Sequence, residues 1–224
     1  MKFYLKKNQA KDLTFEKIIY FCKQVLTNMN RQHTEIRQEQ IKHAVLDIIY
    51  TEGLKKLSTR NLAQHIGLSE GAIFRHFAKK QDITLALVHD VQKDLIGSLR
   101  SIAFSNLDPE ERLNRFLCQT VKYLSDNKGI TMLMFSEASR NNDVVLKESL
   151  QHIFKSQKQL VSAIILDGVA IGKWDGNIPV EYIADMYMGI PSTLNIYLVL
   201  NQGNFQIDNF CEQTMMVLLK ILKK

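Results

Sequence analysis

Apolar residues recur along this chain at intervals of three and four, the spacing that lines one face of an α-helix. Phe15, Ile18, Ile19, Cys22, Val25, Leu26 and Met29 form the first stripe, with Thr14 placed to cap it. Ile41, Ala44, Val45, Ile48 and Ile49 form the second and predict a helix over 36–52, stopped by Gly53. Two short helices follow over 58–66 and 70–77. A long one spans 81–103, with Ile83, Ala86, Leu87, Val91, Leu95 and Leu99 facing inward. Asp108-Pro109-Glu110-Glu111 is a strong helix start, with Asp as cap, Pro at the first helical position and acids at the positive end of the dipole; this helix should reach about Asn127. Further helices are expected over 129–140, 143–166, 179–201 and 208–223. No segment carries a convincing strand pattern, so the expected fold is all-α.

The texture changes near 80–105, where short basic helices give way to long apolar ones. This predicts an N-terminal extension over 1–33, a unit of short basic helices over 34–80 and a larger helical unit over 81–224, the last two joined through one continuous helix. Charge sharpens the division. Residues 1–100 carry 17 Lys and Arg against 10 Asp and Glu, whereas the remainder carries 12 against 13. A basic excess confined to one end fits a polyanion-binding module, although a solvated basic surface would look the same. Cys22, Cys118 and Cys211 lie far apart and show neither paired disulfide spacing nor a CxxC signature, which fits a reducing cytoplasm. No apolar run approaches the roughly 18 residues a membrane span needs, and no basic-then-apolar leader opens the chain.

Between the short helices, Ala63-Gln64-His65-Ile66-Gly67-Leu68-Ser69-Glu70 has the steric logic of a helix-turn-helix. Ala63 lets the second helix approach, Gly67 suits a positive φ, Leu68 plugs the angle and Ser69 caps the next helix. The stretch from Gly67 through Gly71-Ala72-Ile73-Phe74-Arg75-His76-Phe77-Ala78-Lys79-Lys80-Gln81-Asp82, with Ser58-Thr59-Arg60-Asn61-Leu62-Ala63 upstream, resembles the signature of the TetR repressor family over about residues 36–85. The C-terminal region resembles that family in layout only. The resemblance implies that Ser69, Glu70, Gly71 and Ala72 open the recognition helix nearest base edges. It further implies that Ser58 or Thr59, Phe74, His76 and Lys80 meet phosphates. Helix N-termini and lysine suit that contact. The family usually has Tyr where this chain has Phe74; the lost hydroxyl contact could be replaced by Arg75, with Lys79 adding to the basic flank.

Several features are left open by the residues themselves. The segment 1–33 reads either as an extra amphipathic helix with a basic arm (Lys2, Lys6, Lys7, Lys11) or as upstream sequence preceding a start at Met29. Residues 208–222 are apolar on two faces, Phe210, Cys211, Thr214, Leu218 and Ile221 on one and Met215, Met216 and Leu219 toward another. The second face, with Leu219, suggests a subunit contact, and family precedent makes the last two helices a homodimer interface. Pro191, next to Gly189, should kink the helix before it. Phe104, Phe116, Met132, Met134, Phe135, Phe154, Trp174, Tyr187, Met188 and Tyr197, with Gln119, Glu137, His152 and Asn195 as sparse polar groups, are candidates to line an effector pocket, or else to fill core.

Other chemistry lacks its parts. Gly168-Val169-Ala170-Ile171-Gly172-Lys173-Trp174 is one residue short of a phosphate-binding loop and has Trp where Ser or Thr would hold magnesium. The histidines form no HExxH, and GxSxG is absent, so neither a metal site, a cofactor nor an enzyme is expected. The reading is a cytoplasmic, homodimeric transcription regulator, a repressor released from a palindromic operator by a small-molecule effector. A ligand-independent activator or architectural factor, and an interaction protein whose basic face meets an acidic partner, remain as alternatives.

Overall fold

The computed structural model describes Lys17, Ile19, Tyr20 and residues 33–140, 144–200 and 209–223. Of the expected first helix, Lys17, Ile19 and Tyr20 are helical and exposed, and the rest lies outside the described residues. All regular structure among the described residues is helical.

Helix α1 spans 33–51, and its predicted stripe of Ile41, Ala44, Val45, Ile48 and Ile49 is buried. Gly53, at φ 88°, ends it, and a 3-10 turn over Leu54–Lys56 leads to α2 (Thr59–His65). Ser58 caps α2, its hydroxyl accepting from Asn61 N at 3.1 Å. Gly67, at φ 65°, makes the turn. Ser69 caps α3 (Glu70–Phe74) by accepting from Ala72 N at 3.2 Å. This helix is shorter than its apolar pattern suggests, because Arg75 and His76 turn out of it before buried Phe77.

The long helix expected over 81–103 begins one residue earlier and is not uniform. It runs as α4 (Lys80–Asp90), a π-helical segment (Val91–Ile96) and α5 (Gly97–Ala103) without a break in the chain direction. Asp82 fastens its start by accepting from Lys79 N at 2.9 Å. Then follow α6 (Pro109–Asp126), capped by Asp108 as the sequence predicts, α7 (Ile130–Arg140), α8 (Val144–Ala170), α9 (Val180–Leu200) and α10 (Phe210–Leu222). One hydrophobic core continues from α1 to α10.

Helix α8 continues past its expected end at 166 and takes in Gly168, part of the glycine stretch that lacks the spacing of a phosphate loop. The glycine serves packing. A Cβ at Gly168 would lie 2.1 Å from the Trp174 ring, so only a bare backbone lets the buried indole close the end of α8. Pro191 sits inside α9, where its missing N–H removes one helical hydrogen bond. The apolar sides of α10 also fall differently: Met215, Leu218 and Leu222 are buried, Leu219 packs partly against the core, and Met216, Val217 and Ile221 are exposed.

Candidate functional site

The capped turn between α2 and α3 brings five of the candidate DNA-binding residues together. Ser58, Thr59, Phe74, Lys79 and Lys80 line a single shallow crevice floored by Leu57, Ile73 and Phe77. Phe74 is exposed although aromatic, and Arg75 beside it is exposed as well. Glu70 and Gly71 are exposed at the start of α3, and a Cβ at Gly71 would meet no atom of the chain within 4 Å. Packing therefore does not require that glycine. Ala72 is buried, so its methyl faces the small core. His76 is divided: its carbonyl accepts from Gln38 Nε2 at 2.9 Å, tying it to α1, while its buried Nδ1 has no partner among the described residues. Lys80 Nζ donates to the Leu57 carbonyl at 3.2 Å, which holds the start of α4 against the turn before α2.

Behind this surface, two contacts of α1 with the larger helical unit stand out. Buried Lys42 donates to Glu39 at 2.7 Å and to Asp90 at the end of α4. Burial works against its charge, but the hydrogen bonds and charges of Asp90 and Glu39 outweigh that and hold its pKa above the ordinary lysine value. The second point is Gly129, at φ 87°. A Cβ there would lie 3.1 Å from the Leu46 carbonyl and 3.2 Å from Ile49 Cγ2, so the α6–α7 corner rests on α1.

A cavity of about 490 Å³ opens among the π segment, α6, α7, α8 and α9. Val91 and Leu95 form one wall; Thr120, Tyr123 and Leu124 of α6 and Ile130, Thr131, Met134 and Phe135 of α7 form others. Leu150, Phe154 and Gln157 of α8 and Met188, Pro191 and Asn195 of α9 complete most of the lining. Thr131 Oγ1 donates to Asn195 Oδ1 at 3.0 Å, and Asn195 Nδ2 donates to the Pro191 carbonyl at 3.0 Å.

Of the residues picked from sequence as pocket candidates, Met134, Phe135, Phe154, Met188 and Asn195 line this cavity and the others do not. Phe104 is exposed at the far end of α5. Phe116 and Tyr187 pack edge to face at 6.0 Å in the core, and the Tyr187 hydroxyl donates to the Leu113 carbonyl at 2.7 Å. Complete burial raises the Tyr187 pKa well above its ordinary value. Trp174 is committed to Gly168. Gln119 is half-buried on α6, Glu137 half-buried on α7 and His152 exposed on α8. Side-chain type selects these positions, whereas helix rotation decides the lining: α6 turns Thr120, Tyr123 and Leu124 into the cavity. Gln157, Thr131 and Pro191 escape a sequence reading for the same reason.

Two thiols distant in sequence also meet. Cys118 and Cys211 line one groove between α6 and α10, and burial together with hydrogen bonding to Cys118 pushes the Cys211 thiol up to about 12. No helix among the described residues is long and apolar enough to cross a membrane.

Residues 43–87 match the family model described as "Bacterial regulatory proteins, tetR family", and residues 89–221 match the one described as "YsiA-like protein, C-terminal region". The chain is 27% identical over 120 residues to the nucleoid occlusion factor SlmA of Vibrio vulnificus, covering 53% of this chain and 61% of that protein. It is 24% identical over 132 residues to SlmA of Actinobacillus pleuropneumoniae, covering 58% and 65%. It thus spans less than two thirds of the length of these curated relatives. Among solved structures it resembles the TetR family transcriptional regulator PfmR from Thermus thermophilus, with a TM-score of 0.66, 21% identity and coverage of 81% of this chain and 93% of that one. It also resembles the transcriptional regulator FadR from Bacillus subtilis, solved in complex with stearoyl-CoA, with a TM-score of 0.64, 18% identity and coverage of 82% and 98%. The structural likenesses show a shared fold. With a capped helix-turn-helix on a basic flank, and with adjoining family matches over the N-terminal and C-terminal parts, the chain belongs to the tetR family of bacterial regulatory proteins and is a DNA-binding transcription regulator.

Proposed function

We propose that this regulator is a homodimeric repressor that leaves a palindromic operator when an apolar small molecule occupies the 490 Å³ cavity. The observation that carries the reading is the position of the π segment. Val91 and Leu95 form a wall of the cavity within the same continuous helix that starts at Lys80, beside the helix-turn-helix. A ligand pressing on that wall can favour one setting of the helix, and π segments commonly sit where a helix must adapt. Ile130 gives the cavity a second route to α1, since it follows Gly129 at the corner resting on Leu46 and Ile49. The contact with the helix is midway along it and not at Phe104, where the sequence suggests a pocket.

Ser69, Glu70, Gly71 and Arg75 would face the DNA, with Ser58, Thr59, Phe74, His76, Lys79 and Lys80 along the phosphates, and Ala72 supporting from within. The unit 34–80 would read the operator and 81–224 would sense and dimerise. Symmetric reading of two half-sites about 34 Å apart requires two copies. Along α9, Tyr182, Met186, Gly189, Thr193 and Ile196 are exposed at alternating spacings of four and three, the seam of a helix that packs against another. A Cβ at Gly189 would meet no atom within 4 Å, so a partner helix has room there. This seam on α9, with Val217 and Ile221 on α10, replaces Leu219 as the natural contact. Protein and DNA would meet in the reducing cytoplasm that the cysteines suggest, and the chain would act by binding and not by catalysis.

The B. subtilis relative was solved with stearoyl-CoA, so that compound is the first probe to use. An operator selected from random duplexes should be bound as a palindrome, and stearoyl-CoA should weaken that binding through a coupling of about 1 to 3 kcal/mol. Equal operator affinity with and without any cavity-binding compound would instead favour the architectural reading, which the name of the SlmA relatives also suggests.

A further inference from the structure

The cavity wall carries one largely buried polar side chain for which the described residues supply no hydrogen-bond partner. Gln157 is 8% exposed and lines the cavity. Several polar neighbours on the wall do have partners. Thr120 donates to the Phe116 carbonyl at 2.9 Å, Thr131 donates to Asn195, and Ser192 donates to the Met188 carbonyl at 3.3 Å. The Gln157 amide is left to bond whatever occupies the cavity, and an apolar residue of similar shape would ask for no partner.

The direction of α8 shows where the amide sits. Lys147, Gln151, Phe154 and Gln157 share the cavity face, and Gln151 and Phe154 are exposed where Gln157 is not. At 1.5 Å per residue, Gln157 lies about 15 Å along the helix from Lys147. Among the described residues, the one cation lining the cavity is therefore at the opposite end from the buried amide. A charged group beside Gln157 would be stripped of water with no counter-ion near, whereas a carbonyl, hydroxyl or amide would find a partner.

We infer that Gln157 is the specificity-determining contact of the effector cavity, selecting an elongated, mainly apolar ligand that carries a neutral hydrogen-bonding group at its inner end. This rests on the proposal that the cavity holds an effector, and the test separates the two. The full chain is titrated with tridecane, 2-tridecanone and 7-tridecanone by displacement of the neutral dye N-phenyl-1-naphthylamine, for wild type, Gln157→Leu and Gln157→Asn. Wild type should bind 2-tridecanone about tenfold more tightly than tridecane, the scale of one hydrogen bond to a buried amide, with 7-tridecanone between them. Gln157→Leu should lose that preference while binding tridecane at least as well, and Gln157→Asn should recover part of it. The melting temperature of Gln157→Leu should equal or exceed that of wild type, whereas an amide kept for structure would lower it. Equal binding of ketone and alkane by wild type, or an unchanged preference in Gln157→Leu, overturns the assignment. Failure of dye and all three compounds to bind wild type overturns the effector cavity itself.

Discussion

The helix-turn-helix and the cavity handle their polar groups in opposite ways. Around α2 and α3 the polar side chains cap helix ends or stand in solvent, and Ser58 and Ser69 each close a helix within three residues of themselves. Around the cavity, polar side chains line an enclosed space, where Thr131 finds Asn195 64 residues away and Gln157 finds no partner among the described residues. One region presents a surface made by local sequence; the other encloses a space made by the rotation of five separate segments. A contact surface can thus be anticipated from a short motif, while an enclosed site exists only after the long helices have packed.

The largest test of this contrast is assembly. Ile196→Glu puts a charge in the α9 seam without touching either ligand region, and it should yield monomers by analytical ultracentrifugation and weaken operator binding more than a hundredfold, about 3 kcal/mol. A variant that stays dimeric would move the interface elsewhere. Next, Gly168→Ala drives a methyl into the Trp174 ring, and should cost about 3 kcal/mol in urea unfolding because the helix backbone and the indole cannot both stay in place. Ser69→Ala removes one local cap and should cost about 1 kcal/mol, a smaller loss that also lowers DNA affinity. Lys80→Ala should cost up to about 1 kcal/mol in unfolding, the scale of its hydrogen bond to the Leu57 carbonyl, and flatten the salt dependence of DNA binding by roughly one unit, equally for all sequences. An unaltered slope would remove Lys80 from the phosphate contacts.

The smallest expected effect is a pH dependence. The folded-state pKa of Cys211 is about 12, above the ordinary value of 9.0, chiefly through burial. The unfolded chain therefore loses this proton first as pH rises. The contribution to stability is complete below pH 9 and is lost between 9 and about 12. Cys211→Ser should reduce the fall in melting temperature across that window, and iodoacetamide should label Cys211 slowly at pH 8 in the native protein.

How far the sequence can be read follows from the same contrast. Ser69, Gly67 and Asp108 announce their roles because a cap or a positive-φ turn depends on neighbours within four residues. The buried stripe of α1 is equally plain from its spacing. The cavity is not, because Phe116, Tyr187 and Trp174 have the composition of a pocket and the position of a core. Val91 and Leu95 read as inward-facing, but nothing in their spacing separates a residue that meets another side chain from one that meets empty space. The 3-10 turn at Leu54–Lys56 and the π segment are also invisible, since both are departures from a regular period. Cys118 and Cys211, on helices separated by most of the C-terminal unit, meet only through the packing of α10 on α6.

The π segment between α4 and α5 has a further consequence, for the tolerance of the chain to insertions and deletions. A helix advances about 1.5 Å and turns about 100° with every residue. Losing one residue between Val91 and Ile96 can be taken up by tightening the wide turn to a regular one, whereas losing one from α4 would rotate Lys80 and the helix-turn-helix by about a quarter turn relative to Leu99 and the core beyond. Gly129 would then no longer find Leu46 and Ile49 beneath it, and Lys42 would no longer meet Asp90. The π segment is thus where the helix can change length with least change of direction, while the length of α4 sets the angle at which the protein holds its DNA-reading end.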